Sequence, residues 1–187
     1  MDVSKVAVIL AEGFEESETL TIVDILRRAQ IECHMFSTAG ELIRGSHDIV
    51  VKADAIISDD VKSYDMIVLP GGMPGAANLR DDDRVIRLLQ EMNEAGKFVG
   101  AICAAPLALG KAGVLENRNF TAYVGYEDKI ETSGTFKEEV VVIDGNLITS
   151  RGPATSYAFA YALVDALGGD SMAVKNRMVY FNAFDAE

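Results

Sequence analysis

Short hydrophobic runs alternate with amphipathic helical patterns along this chain, and this alternation is the strongest constraint on its fold. Runs of strand length lie at residues 6–11, 31–37, 65–72 and 97–103, and helical patterns lie at 17–30, 82–96 and 105–113. Strand–helix–strand units of this kind favour a mostly parallel sheet that is covered by helices on both faces. The pattern therefore predicts an α/β protein.

Three further stretches complete the predicted organisation. Residues 41–55, ELIRGSHDIVVKADA, place turn residues between short β-rich pieces and predict a small hairpin. Residues 138–150, EEVVVIDGNLITS, carry Asp-Gly-Asn between two β-rich runs and predict a second hairpin. Residues 152–169 read as an amphipathic helix that ends at two glycines. No linker or repeat interrupts the 187 residues, which predicts a single domain over residues 1–187.

The charge and the cysteine content limit the classes of partner. A net charge of −12 disfavours binding to nucleic acid and to anionic membrane surfaces. No apolar stretch approaches the roughly 18 residues of a membrane span, and the first residues turn acidic too early for a signal peptide. Two scattered cysteines do not make a disulfide framework. We therefore expect a cytoplasmic protein with no nucleic-acid and no membrane partner.

Cys103 follows a predicted buried strand and precedes a predicted helix, in the stretch KFVGAICAAP at residues 97–106. Ligands of open α/β sheets bind beyond the carboxyl ends of the strands. The amides at the start of a helix favour a thiolate, which predicts a lowered pKa for Cys103. Three interpretations stay open at this point: a nucleophile, a redox-sensitive thiol, or a small residue that fits the packing.

Other residues that follow strand ends are candidates for the same site. Glu15, Glu16 and Glu18 fall in the first turn of the first helix, where the helix dipole alone favours carboxylates. A carboxyl group beside a thiolate should have a raised pKa and could exchange a proton with the sulfur. The amides of Gly71 and Gly72, with that of Ala104, are candidates for an oxyanion pocket, although a plain loop explains the glycines equally well.

The remaining residues argue against a cofactor or a metal. The glycine spacing matches neither the dinucleotide-binding fingerprint nor the phosphate-binding loop. His34 and His47 lie far from Cys103 in the sequence, and a surface or packed position is the default for both. No CxxC or HxxxH spacing occurs, so we expect no metal site.

Four motifs in order resemble the ThiJ/PfpI superfamily, in the branch of the parkinsonism-linked DJ protein. They read VILAEGFEESET, VLPGGMPGAANL, GAICAAP and LITSRGPATSYAFA, and they span nearly the whole chain. The resemblance implies a flavodoxin-like three-layer sandwich with a mostly parallel central sheet, and a homodimer. It implies that Cys103 is the reactive cysteine on a nucleophile elbow and that Glu18 hydrogen bonds to it. Further residues that it implies for the oxyanion and substrate pocket are Gly71, Gly72, Ala104, Ser150, Arg151, Gly152 and Pro153.

The sequence departs from the family pattern at one position. Many relatives carry a histidine shortly after the elbow helix, in a stretch like TTHP, whereas this chain reads TAYVGY and offers Tyr123. A phenol is a poor general base near neutral pH, which weakens a Cys-His peptidase or amidase interpretation.

Two functions follow from the resemblance. The first is a cofactor-independent enzyme of the glyoxalase III or deglycase type, which acts on small reactive 2-oxoaldehydes or their adducts with Cys103 as nucleophile and Glu18 as proton partner. The second is a non-enzymatic redox sensor or chaperone whose Cys103 is oxidised to a sulfinate.

Overall fold

The structure, a computed structural model, describes residues 3–182 and is built around a seven-stranded sheet. The strands, in chain order, are β1 (Lys5–Leu10), β2 (Glu32–Ser37), β3 (Leu42–Arg44), β4 (Val50–Lys52), β5 (Ala55–Ile56), β6 (Met66–Leu69), β7 (Phe98–Ile102), β8 (Asn119–Phe120), β9 (Thr135–Phe136), β10 (Val141–Asp144) and β11 (Leu147–Ser150). The main sheet has the order β10-β11-β7-β6-β1-β2-β5. All its neighbouring pairs are parallel except β10 and β11, which confirms the predicted mostly parallel sheet.

Helices cover both faces of this sheet. They are α1 (Glu16–Arg28), α2 (Gly75–Asp81), α3 (Asp83–Glu94), α4 (Pro106–Lys111), α5 (Ser156–Ala166) and α6 (Ser171–Arg177). One core cluster joins α1, α5 and α6 to one face, and a second joins α3 and α4 to the other, where α2 packs against both. The fold is thus the three-layer α/β arrangement that the sequence pattern predicts.

The sequence explains why the central elements form. Strand β1 is apolar and β-branched, and all of it except its first residue is buried, as expected for a strand covered on both faces. Helix α3 buries Val85, Leu88, Leu89 and Met92, a spacing that places them on one helical face. Its side-chain cap is Asp82, which accepts a hydrogen bond from the Arg84 N–H at 2.9 Å.

Both predicted hairpins are present. Strands β10 and β11 pair around a turn in which Gly145 has a φ of 59°. Strands β3 and β4 pair outside the main sheet. This second hairpin is bound to the start of α1, because the Ser46 N–H donates to the Phe14 carbonyl oxygen and the Gly13 N–H donates to the Arg44 carbonyl oxygen, both at 2.8 Å. The hairpin therefore reaches the carboxyl end of β1.

Some elements have no counterpart in the sequence-based prediction. They are short, such as α2, α6 and the two-residue strands β5, β8 and β9, and short elements carry too few residues to establish a period. The predicted domain spans residues 1–187, of which 1–2 and 183–187 lie outside the described residues. Within residues 3–182, each helix is too short or too polar to cross a lipid bilayer.

Candidate active site

Cys103 occupies a sharp turn between β7 and α4. Its φ is 65°, in the left-handed region that residues with a Cβ atom rarely adopt. Two hydrogen bonds hold this conformation: the Cys103 N–H donates to the Ser150 carbonyl oxygen at 3.0 Å, and the Cys103 carbonyl oxygen accepts from the Tyr123 N–H at 2.8 Å. Such backbone strain persists only where the surrounding structure enforces it, and it concentrates at functional sites.

The Glu18 carboxyl group lies beside the Cys103 thiol, and each of the two groups shifts the pKa of the other. Glu18 is fully buried in the first turn of α1. Its Oε2 accepts a hydrogen bond from the Gly71 N–H at 2.7 Å. Its Oε1 is also buried, and in the described part of the chain it accepts no hydrogen bond from an N–H or O–H group. One carboxyl oxygen is thus fixed by the backbone, and the other can take up or release a proton.

Gly71 brings the loop after β6 against the sulfur. A Cβ atom at this position would lie 2.6 Å from the Cys103 Cβ and 2.9 Å from Glu18 Oε2, which is too close for a side chain. The Gly71 N–H is used by Glu18, however, so it is not available to a substrate oxygen. The expectation that Gly71 contributes its amide to an oxyanion pocket is therefore wrong, because its amide positions the carboxyl group instead.

Two other amides approach the sulfur. The N–H groups of Gly72 and Ala104 lie close enough to the Cys103 sulfur to lower its pKa. Gly72 has a φ of 89°, and a Cβ atom there would lie 2.7 Å from the Gly13 carbonyl oxygen, so both its conformation and its space favour glycine. These two amides are the pair of hydrogen-bond donors that can stabilise negative charge on the sulfur or on an atom bonded to it.

Burial dominates the proton affinity of both acidic groups. It raises the pKa of Glu18 to about 7, although the hydrogen bonds from the Gly71 amide and the Cys103 thiol act in the opposite direction. It also raises the pKa of Cys103 to about 12, with a further increase from the charge of Glu18. The second proton is harder to remove because its loss leaves two negative charges side by side. Between these two values the pair carries one negative charge and one proton.

The predicted lowering of the Cys103 pKa is wrong. Helix α4 begins at Pro106, which has no N–H, so the helix start provides fewer donors than the sequence argument assumed. The amides of Gly72 and Ala104 lower the pKa, but burial outweighs them. The raised pKa of Glu18 is confirmed, and its main cause is burial rather than the neighbouring sulfur.

A pocket of about 400 Å³ opens above the sulfur. Its walls include Gly72, Cys103 and Ala104 on the inner side, and His47, Tyr123 and Pro153 nearer to the solvent. The pocket therefore combines a buried thiol with a polar and aromatic rim, and it is large enough for a small organic molecule.

Of the stretch Ser150–Pro153, only Pro153 lines the pocket. Ser150 is fully buried, and its side chain donates to the Val140 carbonyl oxygen at 2.6 Å. Its contribution to the site is its backbone carbonyl, which fixes the Cys103 amide. The expectation that Ser150 borders the pocket is not met, because its side chain hydrogen bonds to the Val140 carbonyl oxygen and to the Thr155 hydroxyl group instead.

Arg151 and Gly152 make other contacts. The Arg151 guanidinium group forms an ion pair with Glu138 at 3.3 Å. A Cβ atom on Gly152 would lie 3.4 Å from the Tyr123 ring, so the glycine backbone packs against the outer side of that ring. Neither residue is among those that line the pocket, which corrects their predicted place.

Tyr123 lines the pocket as expected for a residue near the thiol, and 45% of its surface is exposed. His47 also lines the pocket, which its distance from Cys103 in the sequence did not suggest. Its Nδ1 lies 2.9 Å from Glu16 Oε2, and the His47 N–H donates to Glu16 Oε1 at 2.6 Å. His34, in contrast, hydrogen bonds to the Tyr64 hydroxyl at 2.8 Å, on β2 and away from the pocket. The surface position expected for His47 is correct, but the sequence did not indicate that this surface is the rim of the Cys103 pocket.

Glu15, Glu16 and His47 place three potential ligand atoms within 4.8 Å of one another. Hydrogen bonds within the protein already occupy several of these potential ligand atoms. Glu15 Oε2 accepts from the Glu18 N–H at 2.6 Å as the cap of α1, and Glu16 accepts from His47. We assign no metal to these residues, and the expectation of a site without metal or cofactor stays a prediction.

The comparisons with known proteins agree with this geometry. Residues 4–166 match the model of the DJ-1/PfpI family. The chain is 38% identical to the Parkinson disease protein 7 homolog of Danio rerio, over 90% of this chain and 92% of that protein. It is 32% identical to the protein named deglycase TK1284 of Thermococcus kodakarensis, over 87% of this chain and 99% of that protein.

The fold agrees with that of a solved relative. The crystal structure of Drosophila melanogaster DJ-1beta superposes with a TM-score of 0.89 at 34% identity, over 95% of this chain and 98% of that chain. The flavodoxin-like arrangement predicted from the sequence motifs is thereby confirmed. With its four motifs in order, its sheet topology and its matched region, the chain belongs to the DJ-1/PfpI family.

Proposed function

We propose that this protein is a cofactor-independent enzyme that converts small 2-oxoaldehydes such as methylglyoxal, or their adducts, into 2-hydroxy acids. The observation that carries the proposal is the pairing of the Cys103 thiol with the buried carboxyl group of Glu18 at the floor of an open pocket. The relative from Thermococcus kodakarensis that is named a deglycase supports the same class of substrate.

The first step is addition of the sulfur to the aldehyde carbon. Because the pKa of Cys103 is raised, the thiol needs a base, and the ionised Glu18 carboxylate accepts the S–H proton as the S–C bond forms. The electron pair of the C=O bond moves to oxygen, where the Gly72 and Ala104 amides stabilise the negative charge. The protonated Glu18 carboxyl group then gives this proton to the oxygen, which yields a hemithioacetal and returns Glu18 to its ionised form.

The second step is an internal redox reaction of the two substrate carbons. Glu18 removes the proton from the former aldehyde carbon, and the electron pair forms an enediol. Return of a proton to the neighbouring carbon gives a 2-hydroxy thioester on Cys103, so that one carbon is oxidised while the other is reduced. Water then breaks the C–S bond and releases the 2-hydroxy acid and the thiol. In sum, one oxoaldehyde and one water give one 2-hydroxy acid, and no external oxidant is needed.

The experiment is turnover of methylglyoxal without glutathione, measured as lactate. We expect Cys103→Ser to lose activity and Cys33→Ser, which changes the other buried cysteine, to retain it. Equal lactate formation by the wild type and Cys103→Ser would contradict the proposed cysteine-dependent reaction.

The alternative function is a redox sensor, and the same contacts favour it. Two peroxide molecules would oxidise the Cys103 thiol to a sulfinic acid with release of two waters. The Gly72 and Ala104 amides and the Glu18 carboxyl group are placed to hydrogen bond to the added oxygens. A peroxide-dependent mass increase on Cys103 in a protein that forms no lactate would favour this function over the first.

The homodimer is implied by the resemblance of the motifs, and the cytoplasmic location is an expectation from the composition of the sequence. A homodimer and a cytoplasmic location stay predictions. Light scattering on the purified protein tests the first, and localisation of the tagged protein in cells tests the second.

A further inference from the structure

The hairpin β3–β4 brings a histidine into the Cys103 pocket. His47 lies on its turn, where the Ser46 N–H is bound to the Phe14 carbonyl oxygen at 2.8 Å. The turn is therefore fixed to the start of the same helix that carries Glu18. The His47 side chain is 70% exposed, so it reaches both the pocket and the solvent.

Glu16 fixes the orientation of the imidazole ring. The Glu16 side chain is 5% exposed, and its Oε2 lies 2.9 Å from His47 Nδ1. Burial alone would raise the pKa of Glu16, but the hydrogen bonds from the ring and backbone of His47 outweigh it and lower the pKa, so this carboxylate is ionised near neutral pH. An ionised carboxylate accepts hydrogen bonds only, which places a proton on Nδ1.

The other ring nitrogen has the opposite character. In the neutral ring with a proton on Nδ1, Nε2 carries a lone pair. No group within residues 3–182 hydrogen bonds to Nε2. The charged groups that face the ring are Glu16 and Glu15, whose Oε1 lies 3.9 Å from Nδ1. Both favour the imidazolium form that arises when Nε2 accepts a proton.

We propose that His47 is the general base that activates water for hydrolysis of the thioester on Cys103, and that Glu16 is its positioning residue. The inference rests on the proposed function. Nε2 accepts a proton from water, the water oxygen bonds to the thioester carbon, and the C–S bond then breaks, so that its electron pair returns to the sulfur. The imidazolium releases its proton when the thiol re-forms.

Burial divides the labour between His47 and Glu18. Glu18 is fully buried beneath the sulfur, with one oxygen bound to the Gly71 amide, so it can exchange protons with bound substrate but is shielded from solvent. His47 lies on the solvent side of the same pocket. Hydrolysis is the only step that consumes a solvent molecule, and His47 is the base on the side from which that molecule arrives.

The test is single turnover of methylglyoxal by the wild type and by His47→Asn, with acid quench and intact mass. Asparagine keeps a side-chain N–H for Glu16 but has no basic nitrogen. We expect turnover to fall about 10²-fold or more, because that is the typical contribution of a general base. We also expect His47→Asn to accumulate a substrate adduct that hydroxylamine releases as a hydroxamate, the signature of a thioester.

The pH dependence provides a readout that a structural role would not change. In the wild type, decay of the thioester should accelerate as the pH rises through the pKa of His47, and this inflection should be absent in His47→Asn. His34→Asn, which changes the chain's only other histidine, should behave as the wild type. His47→Gln serves as a second variant in case His47→Asn unfolds, which its thermal transition reports.

The outcomes separate the two proposals. If the wild type forms lactate and both His47 variants form it at the same rate, the inference fails and the proposed function stands. If the His47 variants are slow but carry no hydroxylamine-sensitive adduct, His47 acts before the thioester and the hydrolytic role fails. If the wild type forms neither lactate nor adduct, the proposed function fails and the inference fails with it.

Discussion

Glu16 and Glu18 lie two residues apart in the first turn of α1 and both are buried, yet their pKa values move in opposite directions. The pKa of Glu18 rises to about 7, because burial is opposed only by the Gly71 amide and the Cys103 thiol. The pKa of Glu16 falls, because the His47 ring and several backbone N–H groups outweigh burial. Glu18 lies deeper than Glu16 and accepts fewer hydrogen bonds, and both differences together decide the charge of each group.

This difference supports the two different tasks that we propose for these carboxyl groups. A carboxyl group with a pKa near neutrality can both accept and donate a proton during turnover, which suits Glu18 on the inner side of the pocket. A carboxylate that stays ionised is a poor proton carrier but a strong hydrogen-bond acceptor, which suits Glu16 behind His47 on the rim. The predictions below test this division.

The largest expected effect is on turnover by Glu18 variants. Glu18→Gln keeps an oxygen for the Gly71 amide but removes the base that takes the S–H proton. We expect the rate of lactate formation to fall about 10²- to 10⁴-fold, and substrate affinity to fall by no more than that factor. Steady-state kinetics on methylglyoxal provide the measurement.

Two companion variants sharpen this result. Glu18→Asp shortens the side chain by one methylene group and should also reduce turnover, since the carboxyl group no longer reaches both the amide and the thiol. Asp24→Asn changes an exposed carboxylate on the same helix, which pairs with Arg28, and should leave turnover unchanged. Full activity of Glu18→Gln would contradict the assignment of Glu18 as the base.

The next effect is on stability, and the two carboxyl groups should differ in sign. The native state holds the Glu18 proton more tightly than the unfolded chain, since the pKa rises from 4.5 to about 7, so this group reduces stability as the pH rises through that window. Glu18→Gln should therefore be more stable than the wild type at pH 8, by on the order of 1–3 kcal/mol, and lose this advantage near pH 4.

Glu16 should behave in the opposite way. Its native pKa lies below 4.5, so its contribution is present above that pH and is lost as the pH falls through the native pKa. Glu16→Gln leaves the His47 ring and the backbone N–H groups of His47 and Ile49 poorly paired. It should therefore lower the free energy of unfolding at pH 7 by about 1–3 kcal/mol. Urea unfolding of both variants from pH 4 to pH 8 measures the change in the free energy of unfolding for each. A change of the same sign in both variants at pH 8 would contradict this difference between Glu16 and Glu18.

The sequence pattern predicts the sheet and the turn at Cys103, and the ends of parallel strands bring Glu15, Glu16 and Glu18 to the same edge of the sheet. The choice of Glu18 among the three came only from the resemblance of the motifs to a known family. The sequence does not predict His47 in the pocket. That position depends on how the β3–β4 hairpin docks on α1, through backbone contacts such as that between Ser46 and Phe14, which leave no side-chain signal. It also missed the net direction of the Cys103 pKa, since burial of the thiol depends on the whole fold.

A smaller effect concerns the two cysteines. Burial raises the pKa of both thiols to about 12, so ionisation alone does not distinguish Cys33 from Cys103. Cys103 has the Glu18 carboxyl group beside it and lines the active-site pocket, whereas the carboxylate near Cys33, that of Asp54, is paired with Arg27. We expect iodoacetamide to label Cys103 at least about tenfold faster than Cys33.

The pH profile of this labelling tests the role of Glu18 directly. The rate at Cys103 should rise through about pH 7 as Glu18 ionises. Glu18→Gln should remove this inflection, whereas Glu16→Gln should retain it. Peptide mass spectrometry separates the two sites, and faster labelling of Cys33 would contradict the assignment of the elbow.

The smallest expected effect is that of Tyr123→His, which places a second imidazole on the rim of the pocket. If His47 already serves as the base on this side, the new histidine is redundant, and the rate should change by less than about tenfold, well below the contribution of a whole general base. The same change in the His47→Asn background should matter more, since that protein lacks a rim base, and it should recover part of the lost thioester hydrolysis. A large increase from Tyr123→His alone would mean that the rim of the native protein has no effective base. The division between the two sides of the pocket would then rest on Glu18 alone, with Glu16 and His47 serving only to hold the hairpin in place.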